Sequence, residues 1–317
     1  MKTFPLITAV ACALLATVAC RAKDLTVAAD GTGDFKTVQA AVDAVPADSA
    51  TRTLITIRKG TYTELVVVPR EKKNLTIRGE DRQATIIAAM NNAKLNAGGR
   101  RSSFSVVADG FELENLTLHN TTPKGGSQAE ALDMRTDRGV IRHCNFKSFQ
   151  DTLRINGRVY FDDCYIEGDV DFIWGSGTVY FNRCDIHAVH DGYLVQSRNR
   201  SGQFGYIFVD CKLTGDASIT RYALARIDPR AYPYSQVVFI DCQMGPFISP
   251  AGWVFDGPGA QDSKEHIRFE EFHSTDLTGK PLDVSQRAAG SGQLSAVDAA
   301  KLREVGTVFG DWSPVAR

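Results

Sequence analysis

Ile141-Arg142-His143-Cys144-Asn145-Phe146 is the first of five copies of one phrase, in which an apolar residue stands three positions before a cysteine and another two positions after it. The other four copies are Phe161-Asp162-Asp163-Cys164-Tyr165-Ile166, Phe181-Asn182-Arg183-Cys184-Asp185-Ile186, Phe208-Val209-Asp210-Cys211-Lys212-Leu213 and Phe239-Ile240-Asp241-Cys242-Gln243-Met244. Two earlier segments, Lys73-Asn74-Leu75-Thr76-Ile77 and Glu114-Asn115-Leu116-Thr117-Leu118, place asparagine at the cysteine position. From Asn115 onward the steps are 29, 20, 20, 27 and 31 residues, which indicates a repeat protein.

The repeat consists of short β-branched and aromatic runs, without a helical segment inside it. A repeat of this length and composition indicates a solenoid whose units are coils of strands. We therefore predict an all-β fold, a single-stranded parallel β-helix, in which equivalent positions stack about 4.8 Å apart.

Two short helices are predicted at the ends of the solenoid. The first ends at Pro46 and caps the N-terminal coil. Its apolar face is formed by Phe35, Val38, Val42 and Val45. The second runs from Ser295 to Val305, with Gly306 just past its end.

The recurring cysteines are interpreted as an interior ladder of small side chains at a coil corner, in preference to a catalytic or metal-binding role. Adjacent rungs fall within the Cα separation that a disulfide needs, and Cys164 and Cys184 are the pair that we expect. Five cysteines follow residue 22, and this odd number leaves at least one thiol free or paired between chains.

The composition excludes several classes of protein. A chain of 317 residues that is 43% hydrophobic and 23% charged is neither intrinsically disordered nor a disulfide-stapled miniprotein. The net charge of −1 provides no basic field for nucleic acid, so no nucleic-acid partner is expected. We expect a signal peptide at residues 1–22 and a single catalytic β-helix domain at residues 23–317.

The N-terminus has the pattern of an export signal. Lys2 is followed by an uncharged run from Phe4 to Ala19, with cleavage expected after Ala19 or Ala22. A lipoprotein signal is the alternative, because Ala19 precedes Cys20, although Thr17 stands where leucine is usual. No other segment approaches about 18 uncharged apolar residues, so we expect no stable membrane insertion. The protein is predicted to be secreted or periplasmic, with a lipid-anchored outer-membrane location as the alternative.

Equal offsets from the cysteines locate a candidate site. Asp151 lies seven residues after Cys144 and Asp171 lies seven after Cys164, so the two carboxylates should be neighbours on adjacent coils. Like charges that close favour one protonated and one ionised carboxyl, as an acid/base pair requires. The alternative is two surface aspartates that cap turns. Asp191 keeps the same offset but precedes a 27-residue step, which implies an insertion, and it is discounted.

Polar companions strengthen the interpretation of this pair as a catalytic site. Gln150 precedes Asp151, and Gln128 lies 22 residues before Gln150, about one coil away. Neutral amide donors suit the stabilisation of an oxyanion. Arg226 belongs to a later coil and is expected to keep one aspartate ionised. A Gly-x-Ser-x-Gly elbow does not occur in the sequence, which argues against a serine esterase on an α/β-hydrolase fold.

These residues resemble the pectin methylesterase family, right-handed β-helical carbohydrate esterases that demethylate homogalacturonan. The resemblance covers most of the chain after the signal segment, and the Gln-Asp-Thr-Leu and Asp-Phe-Ile-aromatic-Gly motifs are specific together. The segments that carry it are Ala29-Asp30-Gly31-Thr32-Gly33-Asp34-Phe35-Lys36-Thr37-Val38-Gln39, Gly60-Thr61-Tyr62-Thr63-Glu64, Gln128-Ala129-Glu130-Ala131-Leu132, Phe149-Gln150-Asp151-Thr152-Leu153, Gly168-Asp169-Val170-Asp171-Phe172-Ile173-Trp174-Gly175 and Gly310-Asp311-Trp312.

The resemblance implies a role for each candidate residue. Asp171 is the expected nucleophile, and Asp151 protonates the departing methanol and then activates water. Gln128 and Gln150 line the oxyanion hole, and Arg226 orients Asp171. The implied substrate is methyl-esterified homogalacturonan, no metal or organic cofactor is implied, and we expect a monomer.

One motif departs from the family. The usual Leu-Gly-Arg-Pro-Trp appears as Leu224-Ala225-Arg226-Ile227-Asp228, which keeps the arginine and loses a tryptophan that packs against the sugar. Trp174, Phe172 and Trp253 are the candidate replacements for substrate contact. Asp228 is predicted to repel demethylated, anionic galacturonate and thereby to favour highly esterified or short chains.

Two other functions remain open from the sequence. The same scaffold could hydrolyse a different ester or a thioester, which the altered arginine motif allows. A non-catalytic β-helix could bind polysaccharide only, but binding does not require a paired acid and base.

Overall fold

The computed structural model describes residues 24–257 and 264–314. The expected signal peptide at residues 1–22, including Cys20, lies outside the described residues. Among the helices of the described ranges, none is long and apolar enough to cross a membrane.

Two parallel β-sheets contain the strands of the described residues. The first has eleven strands, in the order β1 (Leu25–Val27), β2 (Thr53–Ile57), β5 (Leu75–Gly79), β8 (Glu112–Glu114), β11 (Gly139–Arg142), β14 (Arg158–Asp162), β16 (Thr178–Asn182), β18 (Tyr206–Val209), β21 (Gln236–Ile240), β24 (Arg268–Phe272) and β25 (Gly292–Gln293).

The second sheet has fourteen strands. They are β3 (Gly60–Tyr62), β4 (Val66–Val68), β6 (Thr85–Ala89), β7 (Phe104–Val106), β9 (Thr117–Asn120), β10 (Leu132–Arg135), β12 (Asn145–Lys147), β13 (Leu153–Asn156), β15 (Tyr165–Gly175), β17 (Asp185–Ser197), β19 (Lys212–Gly215), β20 (Tyr222–Ile227), β22 (Gln243–Met244) and β23 (Trp253–Phe255).

The long strands β15 and β17 show that the second sheet forms two faces. Their N-terminal parts pair with β12 and β19, whereas their C-terminal parts pair with β13 and β20. Together with the first sheet, these faces give a three-faced coil in which each strand pairs in parallel with its counterpart one turn later. The predicted parallel β-helix is confirmed.

Stacked aromatic rings fill part of the interior. Phe161, Phe181, Phe208 and Phe239 are fully buried, and their successive ring centroids are 4.8, 4.5 and 4.6 Å apart. Each is the apolar residue three positions before a recurring cysteine. The spacing equals that of neighbouring strands, so one sequence position supplies one rung of the core on every coil.

The cysteines form a second interior ladder, as predicted. The strand register aligns one position through seven coils, namely Leu116, Cys144, Cys164, Cys184, Cys211, Cys242 and Ser274. The placement of two asparagines at this position was wrong. Asn115 lies one residue earlier, and Asn74 lies at the opposite end of its strand, because β5 pairs with β8 and Ile77 stands opposite Leu113.

The expected disulfide between Cys164 and Cys184 is also wrong. Cys144, Cys164, Cys184, Cys211 and Cys242 are all buried and free. Their thiols interact with backbone carbonyls, as where Cys211 Sγ donates to Phe181 O at 3.5 Å. Burial raises the pKa of the Cys164 and Cys184 thiols well above the usual range, so both stay neutral and unreactive.

The N-terminal helix and the C-terminal helices lie at different places on the solenoid. Helix α1 (Val38–Ala44) follows Thr37, whose side chain accepts a hydrogen bond from Ala40 N, and it buries Val38 and Val42 in the interior of the solenoid. The predicted C-terminal helix is divided into α2 (Ala296–Arg303) and α3 (Val305–Phe309), so Gly306 lies inside α3 and not past a helix end. Both pack on the outer side of the first sheet, against residues such as Tyr180 and Ile207.

Candidate active site

The two candidate carboxylates lie side by side on the face that contains β13, β20 and the C-terminal parts of β15 and β17. Asp151 stands in the turn before β13, and Asp171 stands within β15, where the pairing with β17 shifts register between Val170 and Ile173. Since β13 pairs with β15 through Leu153 and Ile173, each aspartate lies two residues before the same rung. The predicted juxtaposition is confirmed, and both residues have left-handed backbone, with φ of 68° and 49°.

Asp171 is bound by a guanidinium from strand β20. Arg226 Nε donates to Asp171 Oδ1 at 2.8 Å, and Nη2 donates to Oδ2 at 2.5 Å. This bidentate contact raises the pKa of Arg226. The guanidinium also lies 4.4 Å from the ring centroid of Tyr193, and 3.9 Å separates its Nη1 from Asp256 Oδ2. The placement of Arg226 beside Asp171 is confirmed.

A glutamine from the next coil also contacts Asp171. Gln196 Nε2 donates to Asp171 Oδ2 at 3.3 Å, and Arg198 Nε donates to Gln196 Oε1 at 2.8 Å. Gln196 pairs with Trp174 in the register of β15 and β17. Asp171 is therefore bound from two coils, by a charged donor and by an amide.

Asp151 has a different environment. Arg101 Nη2 donates to its Oδ2 at 2.7 Å, while Arg101 Nε donates to Glu130 Oε1 at 2.8 Å, so one guanidinium lies between two buried carboxyls. Burial, followed by the negative charge of Glu130, raises the pKa of Asp151 to about 8, although Arg101 acts in the opposite direction. Asp151 is consequently a protonated acid at neutral pH.

The two glutamines predicted for the oxyanion hole lie on the same side of the carboxylates. Gln150 borders a cavity of about 580 Å³ whose lining includes Phe149 and His190. Gln128 is half-buried and accepts a hydrogen bond from Ser127 Oγ at 3.0 Å. Their roles stay predictions, because an oxyanion forms only during the reaction.

The predicted aromatic contacts to substrate need correction. Phe172 is fully buried in the interior, so its assignment is wrong. Trp253 is 2% exposed and stacks on Phe269 with 4.9 Å between ring centroids, so it is a core residue although it borders a cavity. Trp174 is 7% exposed and covered by guanidinium groups, so it offers no open stacking face.

Asp228 lies beyond Arg226, at the end of β20. It accepts a hydrogen bond from Arg230 N at 3.0 Å, and its charge helps to raise the pKa of Asp256, for which burial is the largest cause. Its predicted repulsion of anionic galacturonate stays a prediction.

A third aspartate and the possible metal ligands also bear on the chemistry of the pair. Asp191 lies within β17, is exposed and accepts hydrogen bonds from Thr220 and Arg221. The register shift that pairs Val170 with Tyr193 leaves Asp191 out of alignment with Asp171, so discounting it was correct. Within residues 24–257 and 264–314, no group of three or more His, Cys, Asp and Glu side chains could hold a metal ion.

Sequence reasoning missed Arg101, Glu130 and Gln196. The coil register contains a signal for two of them, because Ala131 N bonds to Thr152 O, which places Glu130 opposite Asp151, and Gln196 aligns with Trp174. Arg101 precedes β7, two coils before Asp151, and no offset from the cysteines points to it.

A parallel β-helix that places a carboxyl of raised pKa beside a carboxyl bound by arginine has the general acid and the nucleophile that an ester hydrolase requires. The sequence pattern of the family described as Pectinesterase matches residues 24–305. Pectinesterase 31 of Arabidopsis thaliana is 34% identical over 241 residues, which are 72% of this chain and 75% of that protein. The chain therefore belongs to the pectinesterase family, whose members are carboxylic ester hydrolases.

Solved structures agree with this membership. A pectin methylesterase from carrot superposes with a TM-score of 0.82 at 30% identity, over 91% of this chain and 94% of that one. A pectin methylesterase in complex with a hexasaccharide has a TM-score of 0.76 at 27% identity, over 92% and 98% of the two chains.

Proposed function

We propose that the chain hydrolyses methyl esters of homogalacturonan to carboxylate and methanol through an acyl-enzyme on Asp171. The observation that carries the proposal is the unequal environment of two adjacent carboxyls. Arg226 donates to both carboxyl oxygens of Asp171, from Nε to one and from Nη2 to the other. Burial and the charge of Glu130 raise the pKa of Asp151 to about 8. A nucleophile held by a guanidinium thus lies beside a carboxyl whose raised pKa suits a general acid.

The proposed reaction has two steps, acylation of Asp171 and hydrolysis of the acyl-enzyme. An Asp171 oxygen attacks the ester carbonyl carbon, and the carbonyl oxygen becomes an oxyanion that the amides of Gln128 and Gln150 stabilise. As the carbon–oxygen bond to the methoxy group breaks, Asp151 transfers its proton to that oxygen and methanol leaves. The acyl group remains on Asp171 as an anhydride, and Asp151 is now a carboxylate.

In the second step, Asp151 accepts a proton from water, and the resulting hydroxide attacks the acyl carbon. The anhydride bond breaks, which frees the Asp171 carboxylate and releases galacturonic acid, whose proton passes to solvent, so both aspartates are restored. The proposed enzyme acts as a single chain, because one β-helix supplies every group. The N-terminal signal supports export of this chain, and the hexasaccharide complex of a relative supports a polysaccharide substrate.

Methanol release from esterified pectin tests the proposal. We expect Asp171→Asn to lower the rate by about 10³-fold or more, because the amide removes the nucleophile. Asp185→Asn is the control, since Asp185 directly follows a cysteine of the same ladder but lies on the surface, and it should keep the parental rate. Equal loss in the two variants, or no methanol from polymer and oligomer with the parent, would contradict the proposal.

A further inference from the structure

A single guanidinium lies between two buried carboxyls, one of which is the proposed general acid. Arg101 Nε donates to Glu130 Oε1 at 2.8 Å and to Oε2 at 3.1 Å, and Arg101 Nη2 donates to Asp151 Oδ2 at 2.7 Å. Both carboxyl side chains are buried. Two carboxyls that share one cation are coupled, so the proton of Asp151 depends on Arg101 and on Glu130 together.

Buried amides hold Arg101 and Glu130 in place. Asn91 Nδ2 donates, at 2.9 Å each, to the carbonyl oxygens of the residues before and after Arg101. Asn120 Nδ2 donates to Asn91 O at 2.7 Å and to Glu130 O at 2.9 Å. Both asparagines are buried. The backbone segments that carry the arginine and the glutamate are therefore joined by one buried network, which fixes the guanidinium beside Asp151.

Another buried arginine–glutamate pair provides a structural comparison. Arg287 donates to both oxygens of Glu271, from Nε at 2.7 Å and from Nη2 at 3.2 Å. Its Nη1 donates to the backbone carbonyl oxygen of Pro250 at 3.0 Å. Arg287 thus neutralises one carboxylate and binds backbone with its other donor. Arg101 differs, because it directs a donor to a second carboxyl, in the candidate active site.

The charge on this cluster changes during the proposed reaction. While Asp151 is protonated, Glu130 balances the positive charge of Arg101. When Asp151 gives its proton to the departing methoxy oxygen, two buried carboxylates face one guanidinium. A buried carboxylate without a cation would oppose this step. The hydrogen bond from Arg101 Nη2 stabilises the new carboxylate, and the guanidinium keeps all of its own protons.

Glu130 acts against Arg101. The charge of Glu130 raises the pKa of Asp151, second only to burial, while Arg101 lowers it. With Arg101 alone, Asp151 would ionise before the ester binds and would be a weak base toward water. With Glu130 alone, Asp151 would hold its proton too firmly to release it. The two opposite charges together allow Asp151 to lose a proton in the first step and to regain one in the second.

The other charges that face Asp151 have smaller effects. Asp171, on the neighbouring strand β15, raises the pKa of Asp151 less than Glu130 does. Arg198, at the end of β17, lowers it less than Arg101 does. Arg101 is therefore the cation with the largest effect on this carboxyl.

Charges and a ring also surround the other side of the cluster. Burial raises the pKa of Glu130, Asp133 adds to the increase and Arg101 opposes it. Arg154 carries a positive charge that interacts with both Glu130 and Arg101. The ring of Trp174 covers the guanidinium, with 5.3 Å between the ring centroid and Arg101 Cζ. The ring limits the contact of Arg101 with water, which strengthens its interaction with the two carboxyls.

We propose that Arg101 is a positioning residue for both proton transfers of Asp151. It stabilises the Asp151 carboxylate that forms as methanol leaves, and Glu130 limits this stabilisation so that Asp151 can take a proton from water. The inference rests on the proposed function. Arg101 acts through Asp151 and not on the ester itself, so its removal should change the pH dependence of the reaction.

The first test follows the titration of Asp151 without substrate. Removal of Arg101 alone would leave Glu130 as a buried charge without its partner, so the comparison is made in a Glu130→Gln background. NMR of protein labelled with carbon-13 at the aspartate carboxyl carbons gives the titration midpoint, and loss of the signal in Asp151→Asn assigns it. We expect the midpoint to be about one pH unit higher in Glu130→Gln/Arg101→Gln than in Glu130→Gln. Equal midpoints would overturn the proposal.

The same variants test the role of Arg101 in the reaction. The alkaline limb of the kcat/KM profile for methanol release should follow the NMR midpoints. Below that limb, kcat/KM should be about three- to tenfold lower in the double variant than in Glu130→Gln, because the Asp151 carboxylate has lost its cation. Glu130→Gln/Arg101→Lys keeps the charge and should retain the limb of Glu130→Gln. Equal losses of activity in the lysine and glutamine variants, without a shift of the limb, would indicate a structural role and overturn the proposal.

A second arginine–glutamate pair provides the matched control. Arg52 Nη2 lies 3.3 Å from Glu112 Oε1 on the first sheet, and Glu112→Gln/Arg52→Gln should keep the midpoint and the limb of Glu112→Gln. A shift as large as that at Arg101 would overturn the assignment. Should Arg101→Gln prevent folding, Arg101→Met keeps the length of the side chain without its charge and replaces it. Methanol release by the parent reports separately on the proposed function, because the NMR midpoints do not require turnover.

Discussion

Two sets of left-handed residues occur in this β-helix, and they serve different ends. The first, here called the turn row, stands one position before the cysteine ladder on each coil, with φ between 49° and 58°. It consists of Asn115, His143, Asp163, Arg183, Asp210, Asp241 and His273. The second is the catalytic pair, Asp151 and Asp171, with φ of 68° and 49°.

The backbone is similar in the two sets, but the surroundings are not. Members of the turn row are exposed or half-buried and form surface contacts, such as the hydrogen bond between His143 Nδ1 and Asp163 Oδ2 at 2.7 Å. Asp151 and Asp171 are each 6% exposed and lie against buried charges. A left-handed corner is thus a structural feature of the coil, and at Asp151 burial together with the charge of Glu130 raises the pKa of the carboxyl.

The largest expected difference between the sets is in activity. Asp151→Asn should lower methanol release by about 10²–10⁴-fold, because the amide can neither donate the proton to methanol nor accept one from water. Asp163→Asn has the same chemical change in the turn row and should keep the parental rate. A comparable loss of methanol release in Asp163→Asn would contradict the expected difference between the catalytic pair and the turn row.

Stability should also distinguish the sets. The pKa of Asp151 is about 8 in the folded protein and 3.8 ordinarily, so the unfolded chain releases this proton first as the pH rises. The parent loses this contribution to stability between those pKa values, and Asp151→Asn does not. The thermal midpoint of Asp151→Asn minus that of the parent should therefore rise by a few degrees between about pH 4 and about pH 8.

Asp163→Asn provides the contrast for this measurement. Because Asp163 lies on the surface, its variant should follow the midpoint of the parent at every pH. A constant difference between Asp151→Asn and the parent across the same range would contradict the raised pKa.

Glu130 should influence the alkaline limit of the reaction through the pKa of Asp151. Its carboxyl shares Arg101 with Asp151, and its charge is the second cause of the raised pKa of Asp151. Glu130→Gln removes that charge, so the alkaline limb of the kcat/KM profile for methanol release should move to lower pH by about one unit. Glu112→Gln, another buried glutamate, should leave the limb in place.

The coil repeat explains how much of the site could be predicted from the sequence. A constant strand spacing turns an offset of seven residues into a spatial coordinate, which located Asp151 beside Asp171. The same rule failed at Asn115 and Asn74. Asparagine also favours the left-handed backbone of a turn, so these residues occur at turns of the coil without occupying the cysteine ladder. The contacts of Arg101 and the arginine contacts to Trp174 are made by long side chains that cross coils. The strand register does not fix the directions of these side chains, so the contacts could not be predicted.

A smaller effect is expected from the turn row itself. Asp163→Val places a β-branched residue at φ 49° and should lower the free energy of unfolding by about 1–3 kcal/mol. Asp163→Gly accepts the same backbone without strain and should be close to the parent, apart from the surface pair with His143. Chemical denaturation of both variants measures the difference, and equal stabilities would contradict a strained corner.

The smallest expected effect is that of reducing agent, because the ladder beside the turn row contains free thiols. Dithiothreitol should leave the thermal midpoint of a protein that starts at Lys23 unchanged. A thiol reagent should modify none of its five cysteines while the protein is folded and all five after unfolding, since burial keeps each thiol inaccessible. Three reactive thiols after unfolding would instead indicate one disulfide, and the rungs of Cys164 and Cys184 would then be linked covalently as well as by stacking.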